Sequence, residues 1–141
     1  MAGEKELKQA KSVYDSICKM LDEEGWRYNG NAEELVINTG AVGEDLPIDL
    51  TIRVDPKKTL VSVWSKMPFN VPKGKLVEMA IAISMVNYGF VDGNFDYNFI
   101  DGSIYFRLTS SFKESLIGKE TFKYMVMLSC AMVDKFNDKF L

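Results

Sequence analysis

Residues 94–108 read NFDYNFIDGSIYFRL, and the fold turns on how this stretch is paired. Apolar and polar residues alternate on both sides of Asp101-Gly102, the dipeptide favoured in a two-residue type I′ turn because both positions take positive φ. A β-hairpin closed there sets Phe99 opposite Ile104, Tyr97 opposite Phe106 and Phe95 opposite Leu108. Side chains alternate along a strand, so these six share one apolar face that must be covered. The other face pairs Ile100 with Ser103, Asn98 with Tyr105 and Asp96 with Arg107. Asp96 and Arg107 read first as a structural cross-strand ion pair, contributing about 0.2–1 kcal/mol. An arginine holding an anion is the sharper reading.

Immediately before the hairpin, Leu76 to Val86 is apolar nearly all round, broken only by Glu78 and Ser84. A helix without a polar face is expected to be buried on several sides. Pro72 suits the start of that helix, and Asn87-Tyr88-Gly89 its end. Further back, Leu46 to Val54 alternates cleanly, with Ile48, Leu50, Ile52 and Val54 on one face. Asp55-Pro56-Lys57-Lys58 reads as a turn with proline at a favoured position, and Thr59 to Lys66 as the returning strand. A four-residue loop there places Ile52 beside Val61 and Leu50 beside Val63, and puts Leu60, Ser62 and Trp64 on the more polar face. Trp26 to Tyr28 and Glu34 to Asn38 read as one strand interrupted by Asn29-Gly30-Asn31, followed by a loop over Thr39 to Asp45 with two glycines.

The two ends read as helices. Glu4 to Glu24 carries Leu7, Ala10, Tyr14, Ile17 and Leu21 at helical spacing, with Gly25 as its stop. Gly118 to Leu141 carries a stripe of Phe122, Met125, Ser129, Met132, Phe136 and Phe140. Tyr124, Met127, Leu128 and Ala131 lie elsewhere on the same helix and call for a second contact. The expected fold is α+β: an antiparallel sheet of about five strands with helices on one face, in the order α-β-β-β-α-β-β-α. At 141 residues the chain is expected to form one domain, 1–141.

Composition removes several function classes. The chain has no histidine, so the commonest general base and the commonest transition-metal ligand are missing. Asp92-Gly93-Asn94-Phe95-Asp96 opens like a calcium loop but has Tyr97 and Ser103 where the loop needs glycine and glutamate. Lys73-Gly74-Lys75 lacks the spacing of a phosphate loop. Cys18 and Cys130 have no metal-ligand spacing and read as free thiols in a reducing compartment, with a single disulfide between them as the alternative. No catalytic residue, metal or cofactor is expected. A net charge of -3 suits neither nucleic acid nor an anionic membrane. A cluster of Lys57, Lys58, Lys66, Lys73 and Lys75 is the one feature that could support nucleic-acid binding. The charged start of the chain shows no signal peptide, and a cytoplasmic location is expected.

From Trp26 onward the pattern resembles the YbjN-like family, whose fold is like that of type III secretion chaperones. The resemblance rests on LPIDLTIRVDPKKTLVSVWSKMPFNVP at 46–72, AIAISMVN at 80–87 and GNFDYNFIDGSIYFRL at 93–108. Pro68-Phe69, Val71-Pro72, Asn87, Phe95 and Arg107 occupy the places of the family's strand hairpin, connection, buried helix ending in asparagine and second hairpin. The resemblance implies a cytoplasmic protein of the candidate sensory-transduction-regulator kind, or a small acidic homodimer binding a partner chain. Taken with the residues, it leads to a non-enzymatic protein-binding module that pairs with itself and with an unidentified protein. Candidate partner contacts are Leu60, Trp64 and Tyr105; candidate dimer contacts are Met127, Leu128 and Ala131. The alternative is a small-molecule-binding domain or weak enzyme with a pocket between sheet and helices.

Overall fold

The computed structural model describes residues 3–42, 47–113 and 118–140. Helix α1 (Glu4–Glu23) is followed by β1 (Tyr28–Asn31), β2 (Val36–Val42), β3 (Pro47–Asp55) and β4 (Leu60–Lys66). A 3-10 turn (Lys73–Lys75) leads into α2 (Leu76–Tyr88), then β5 (Asn94–Tyr97), β6 (Ile104–Ser111) and α3 (Lys119–Phe140). The strands form one six-stranded antiparallel sheet in the order β1-β2-β3-β4-β6-β5. This is the α+β architecture expected, with one strand more. The extra strand arises because Asn29-Gly30-Asn31 belongs to a strand of its own. The Asn31 carboxamide then accepts the Glu33 and Glu34 amides, turning the chain so that Val36 lies opposite Asn31. The loop expected from Thr39 is strand as far as Val42, and its remainder lies outside the described residues.

Alternation sorts the sheet into two faces. Leu50, Ile52, Val54, Val61, Val63, Phe95, Ile104, Phe106 and Leu108 point inward and are buried. They meet Ala10, Val13, Tyr14, Ile17, Met20 and Leu21 of α1 and Phe122, Met125, Val126, Val133, Phe136 and Phe140 of α3. Ion pairs Lys119–Glu23 (2.6 Å) and Lys123–Glu24 (3.2 Å) join the end of α1 to the start of α3. The stripe expected on α3 is inward except Met132, which is half-buried; on α1, Leu7 stays exposed.

The strand pairing differs from expectation at both hairpins, and each time by two residues. The β5–β6 connection is not a two-residue turn. Asp101 has negative φ, and only Gly102, at +77°, takes the left-handed conformation, so a type I′ turn cannot form. Residues 98–103 instead make a longer loop. The Asn98 carboxamide accepts the Ile100 amide at 2.9 Å, and the Asp101 carboxylate accepts the Ser103 amide at 2.8 Å and its hydroxyl at 2.7 Å. Phe95 therefore lies opposite Phe106 and Tyr97 opposite Ile104, while Asp96 lies opposite Tyr105. At the β3–β4 turn, Asp55 stays in its strand and pairs with Leu60. Ile52 then meets Val63, Val54 meets Val61, and Leu50 meets Ser65. A shift of two keeps the side chains that stay in these strands on their expected faces; Asn98, Phe99, Ile100 and Ser103 left the strands for the loop, where Phe99 and Ile100 are exposed and Ser103 is buried.

Helix α2 departs most from expectation. Instead of being buried on several sides, it buries Ile83 alone and leaves Val77 62% exposed, Ile81 58%, Met85 73% and Tyr88 94%. It packs on β5 at the rim of the sheet. The Tyr97 hydroxyl donates to the Leu76 carbonyl at 2.8 Å. Asn87 brackets Phe95, accepting its amide at 2.8 Å and donating to its carbonyl at 3.0 Å.

Candidate functional site

The helices leave the second face of the sheet uncovered, and strand register lays its side chains out in rows. Asn29, Asn38, Thr51, Trp64, Arg107 and Asn94 form one row across all six strands. Lys66, Tyr105 and Asp96 form part of the next. This face is mostly polar, with the cations Arg53, Lys66 and Arg107 among short side chains. Two aromatic side chains, Trp64 and Tyr105, wall a cleft of about 290 Å³ completed by Thr51 and Asp96. Tyr105 is 37% exposed. Leu60 lies on the same face but at the far end of β4, between Asp55 and Ser111, and does not reach the cleft.

Asp96 is held in place by its neighbours. Arg107 Nε lies 3.0 Å from Oδ2 and Nη2 3.3 Å from Oδ1, and the Asn94 carboxamide donates to Oδ1 at 2.6 Å. The ion pair is thus diagonal across the strands rather than directly opposed. Both side chains keep about two-fifths of their surface in water (43% and 38%), so its contribution is at the small end of the surface range, about 0–1 kcal/mol.

A second cleft lies beside the first and shares Thr51. It measures about 520 Å³ and is lined by Arg27, Asn29, Asn38, Thr39 and Asp49 among others. A third, more apolar groove of about 490 Å³ lies away from this face, between the β4–α2 connection and the ends of α2 and α3. Phe69, Val71, Pro72, Met79, Ala82 and Phe140 form its walls, with Lys75 and Glu78 at the rim.

The candidate dimer residues of α3 face outward: Met127 is 52% exposed, Ala131 is exposed and Leu128 is half-buried. The larger apolar surface is one the sequence reading missed. Val77, Ile81, Met85 and Tyr88 recur every three or four residues and form a single outward stripe on α2. The signal was present as an all-apolar helix, but hydrophobicity alone could not tell which side faced the sheet.

The thiols are free and half-buried. Burial pushes Cys130 up to about 11, and burial also raises Cys18. In the β5–β6 loop, the Ser103 hydroxyl and then its amide hold Asp101 below the usual carboxylate range. Lysines 57 and 58 sit in the β3–β4 turn, Lys66 at the opposite end of β4, and Lys73 and Lys75 in the 3-10 turn, so they do not gather into one patch. Among the described residues no three His, Cys, Asp or Glu side chains cluster to hold a metal, and no helix is long and apolar enough to cross a membrane.

The α+β fold is one shared with solved structures, at low sequence identity. Among solved structures the chain is similar to YbjN from E. coli, a candidate transcription regulator, with a TM-score of 0.64 over 89% of this chain and 92% of that one at 14% identity. It is equally similar to a chain of the ExsC–ExsE complex, with a TM-score of 0.65 over 90% and 92% at 10% identity. A chain of the HopA1–SchA chaperone–effector complex matches with a TM-score of 0.59 over 91% and 95%, also at 10% identity. No protein-family model matches the sequence, and no curated protein matches it. The resemblance to the YbjN-like and secretion-chaperone folds therefore holds in three dimensions.

Proposed function

We propose that this chain is a non-enzymatic, cytoplasmic protein-binding module, regulatory or chaperone-like, that acts as a homodimer. The observation that carries this reading is the sheet face left uncovered by all three helices, with the aromatic Trp64 and Tyr105 set in an otherwise mostly polar surface. Aromatic side chains of this kind supply much of the energy of protein contacts. The fold likeness supports it: two of the similar chains were solved in complexes, one of them chaperone with effector. Leu60, Trp64 and Tyr105 remain the proposed partner contacts, with Leu60 marking the far edge of the surface. A second copy of the chain covers apolar surface on the opposite side, either the α2 stripe or Met127, Leu128 and Ala131 of α3.

The small-molecule alternative has one observation in its favour, the apolar groove beside Phe69 and Phe140, whose size is within the range of ligand pockets. In-cell photo-cross-linking separates the two. A photoreactive residue at Ser62 or Thr109, on the open face, is expected to give a discrete protein adduct in the native host. The same residue at Lys8, on the solvent side of α1, is expected to give none. No adduct from either open-face position would overturn the protein-binding reading.

A further inference from the structure

The Trp64–Tyr105 cleft has a chemistry more specific than an apolar hot spot. Two aromatic side chains line it, and a carboxylate closes it. Aromatic faces attract cations, and a planar guanidinium stacks on an indole while donating to an acid. Asp96 is pinned but not saturated. A carboxylate accepts about four hydrogen bonds, and Asp96 takes three: two at Oδ1, from Asn94 and Arg107, and one at Oδ2, from Arg107 Nε. Oδ2 thus retains an acceptor position, on a side chain 38% exposed.

Arg53, Lys66 and Arg107 share the face with the cleft, and none of them lines it. Arg107 is committed to Asp96. Lys66 is the cross-strand neighbour of Tyr105 and stands at the end of β4. The chain as a whole carries a net charge of -3, which favours approach of a basic segment.

We propose that the cleft formed by Thr51, Trp64, Tyr105 and Asp96 is the seat for a single arginine side chain of a basic, extended segment of the protein partner. The incoming guanidinium lies along Trp64 and donates to Asp96 Oδ2. Arg107 acts as an internal competitor that holds the carboxylate in place and lowers its pull on the guest. The seat rests on the protein-binding reading and names what that surface recognises.

The test uses the full chain with Trp26→Phe, which leaves Trp64 as the only tryptophan and its fluorescence as the readout. The probe is a short glycine–serine peptide with one central arginine, compared with the same peptide carrying citrulline. Saturable quenching by the arginine peptide and none by the citrulline peptide is expected. Asp96→Asn should weaken binding about tenfold, as loss of a charge-assisted hydrogen bond does. Arg107→Gln should tighten it, because the competitor is gone. A merely structural pair would move both variants the same way, so equal weakening in both, with circular dichroism unchanged, would overturn the seat. Equal binding of the citrulline peptide would overturn it too. Cross-linked adducts from Ser62 or Thr109 without any arginine-peptide binding would remove the seat while leaving the protein-binding reading intact.

Discussion

Gly102 shows how one residue ties two parts of the chain. Its φ of +77° is one that side-chain-bearing residues rarely adopt. A Cβ there would lie 2.8 Å from the Val71 amide nitrogen and closer still to the Val71 carbonyl oxygen. The approach is needed because the Val71 amide donates to the Gly102 carbonyl at 2.8 Å, clasping the β4–α2 connection to the β5–β6 loop. Gly102→Ala should therefore cost more than the left-handed strain alone, which is about 1–2 kcal/mol. Urea denaturation of the variant should show a loss of at least that size; a loss under ~0.5 kcal/mol would mean that the loop does not hold the connection. The importance of Asp101-Gly102 was legible in the sequence, but its turn type was not. The clasp to Val71 is a contact between residues far apart in sequence, and local turn preferences contain no information about it. The same holds for Asp96 and Arg107, whose proximity follows from alternation while the diagonal geometry depends on a register the turn did not set.

At the scale of elements, alternation gave the faces of β3, β4, β5 and β6 even where the pairing was displaced by two residues. Period-two patterning fixes which side of a strand is buried, and it is blind to even shifts. Helix α2 was readable as a helix and unreadable as to burial, because a uniformly apolar sequence has no periodic signal to orient it. What orients it is Asn87. By bonding both the amide and the carbonyl of Phe95, it does for β5 what another strand would do, and blocks that edge to further pairing. Asn87→Ala should destabilise the chain by about 1–3 kcal/mol, the cost of leaving partly buried backbone groups unpaired. It should also promote higher-order association as the edge opens. Asn87→Asp, which can accept from the Phe95 amide but cannot donate to its carbonyl, should fall between the two. Equilibrium unfolding with light scattering reads both effects, and a fully stable alanine variant would show that the bracket contributes nothing.

For the whole molecule, the decisive feature is where apolar surface remains once sheet and helices have packed. Helices α1 and α3 are consumed by the core on their inner sides. The α2 stripe is not, and Phe99, 53% exposed, extends the apolar surface from Tyr97, with the two rings 6.3 Å apart. Exposed apolar residues gathered on one helix face mark a surface that soluble proteins tend to cover. A two-fold axis brings the same stripe together from both copies. The α3 candidates are a poorer fit: Leu128 is already half-buried, and Tyr124 beside them is engaged by Asp92 at 3.0 Å. The wild-type chain, 16.0 kDa as a monomer, should therefore elute at twice that mass in light scattering after size exclusion at tens of micromolar. Met85→Lys should shift it to monomer, since a buried ammonium at the centre of the strip has no partner there, and Met127→Lys should leave it dimeric. If Met127→Lys dissociates the dimer and Met85→Lys does not, the interface lies on α3. A wild-type chain that elutes as a monomer would remove the homodimer altogether.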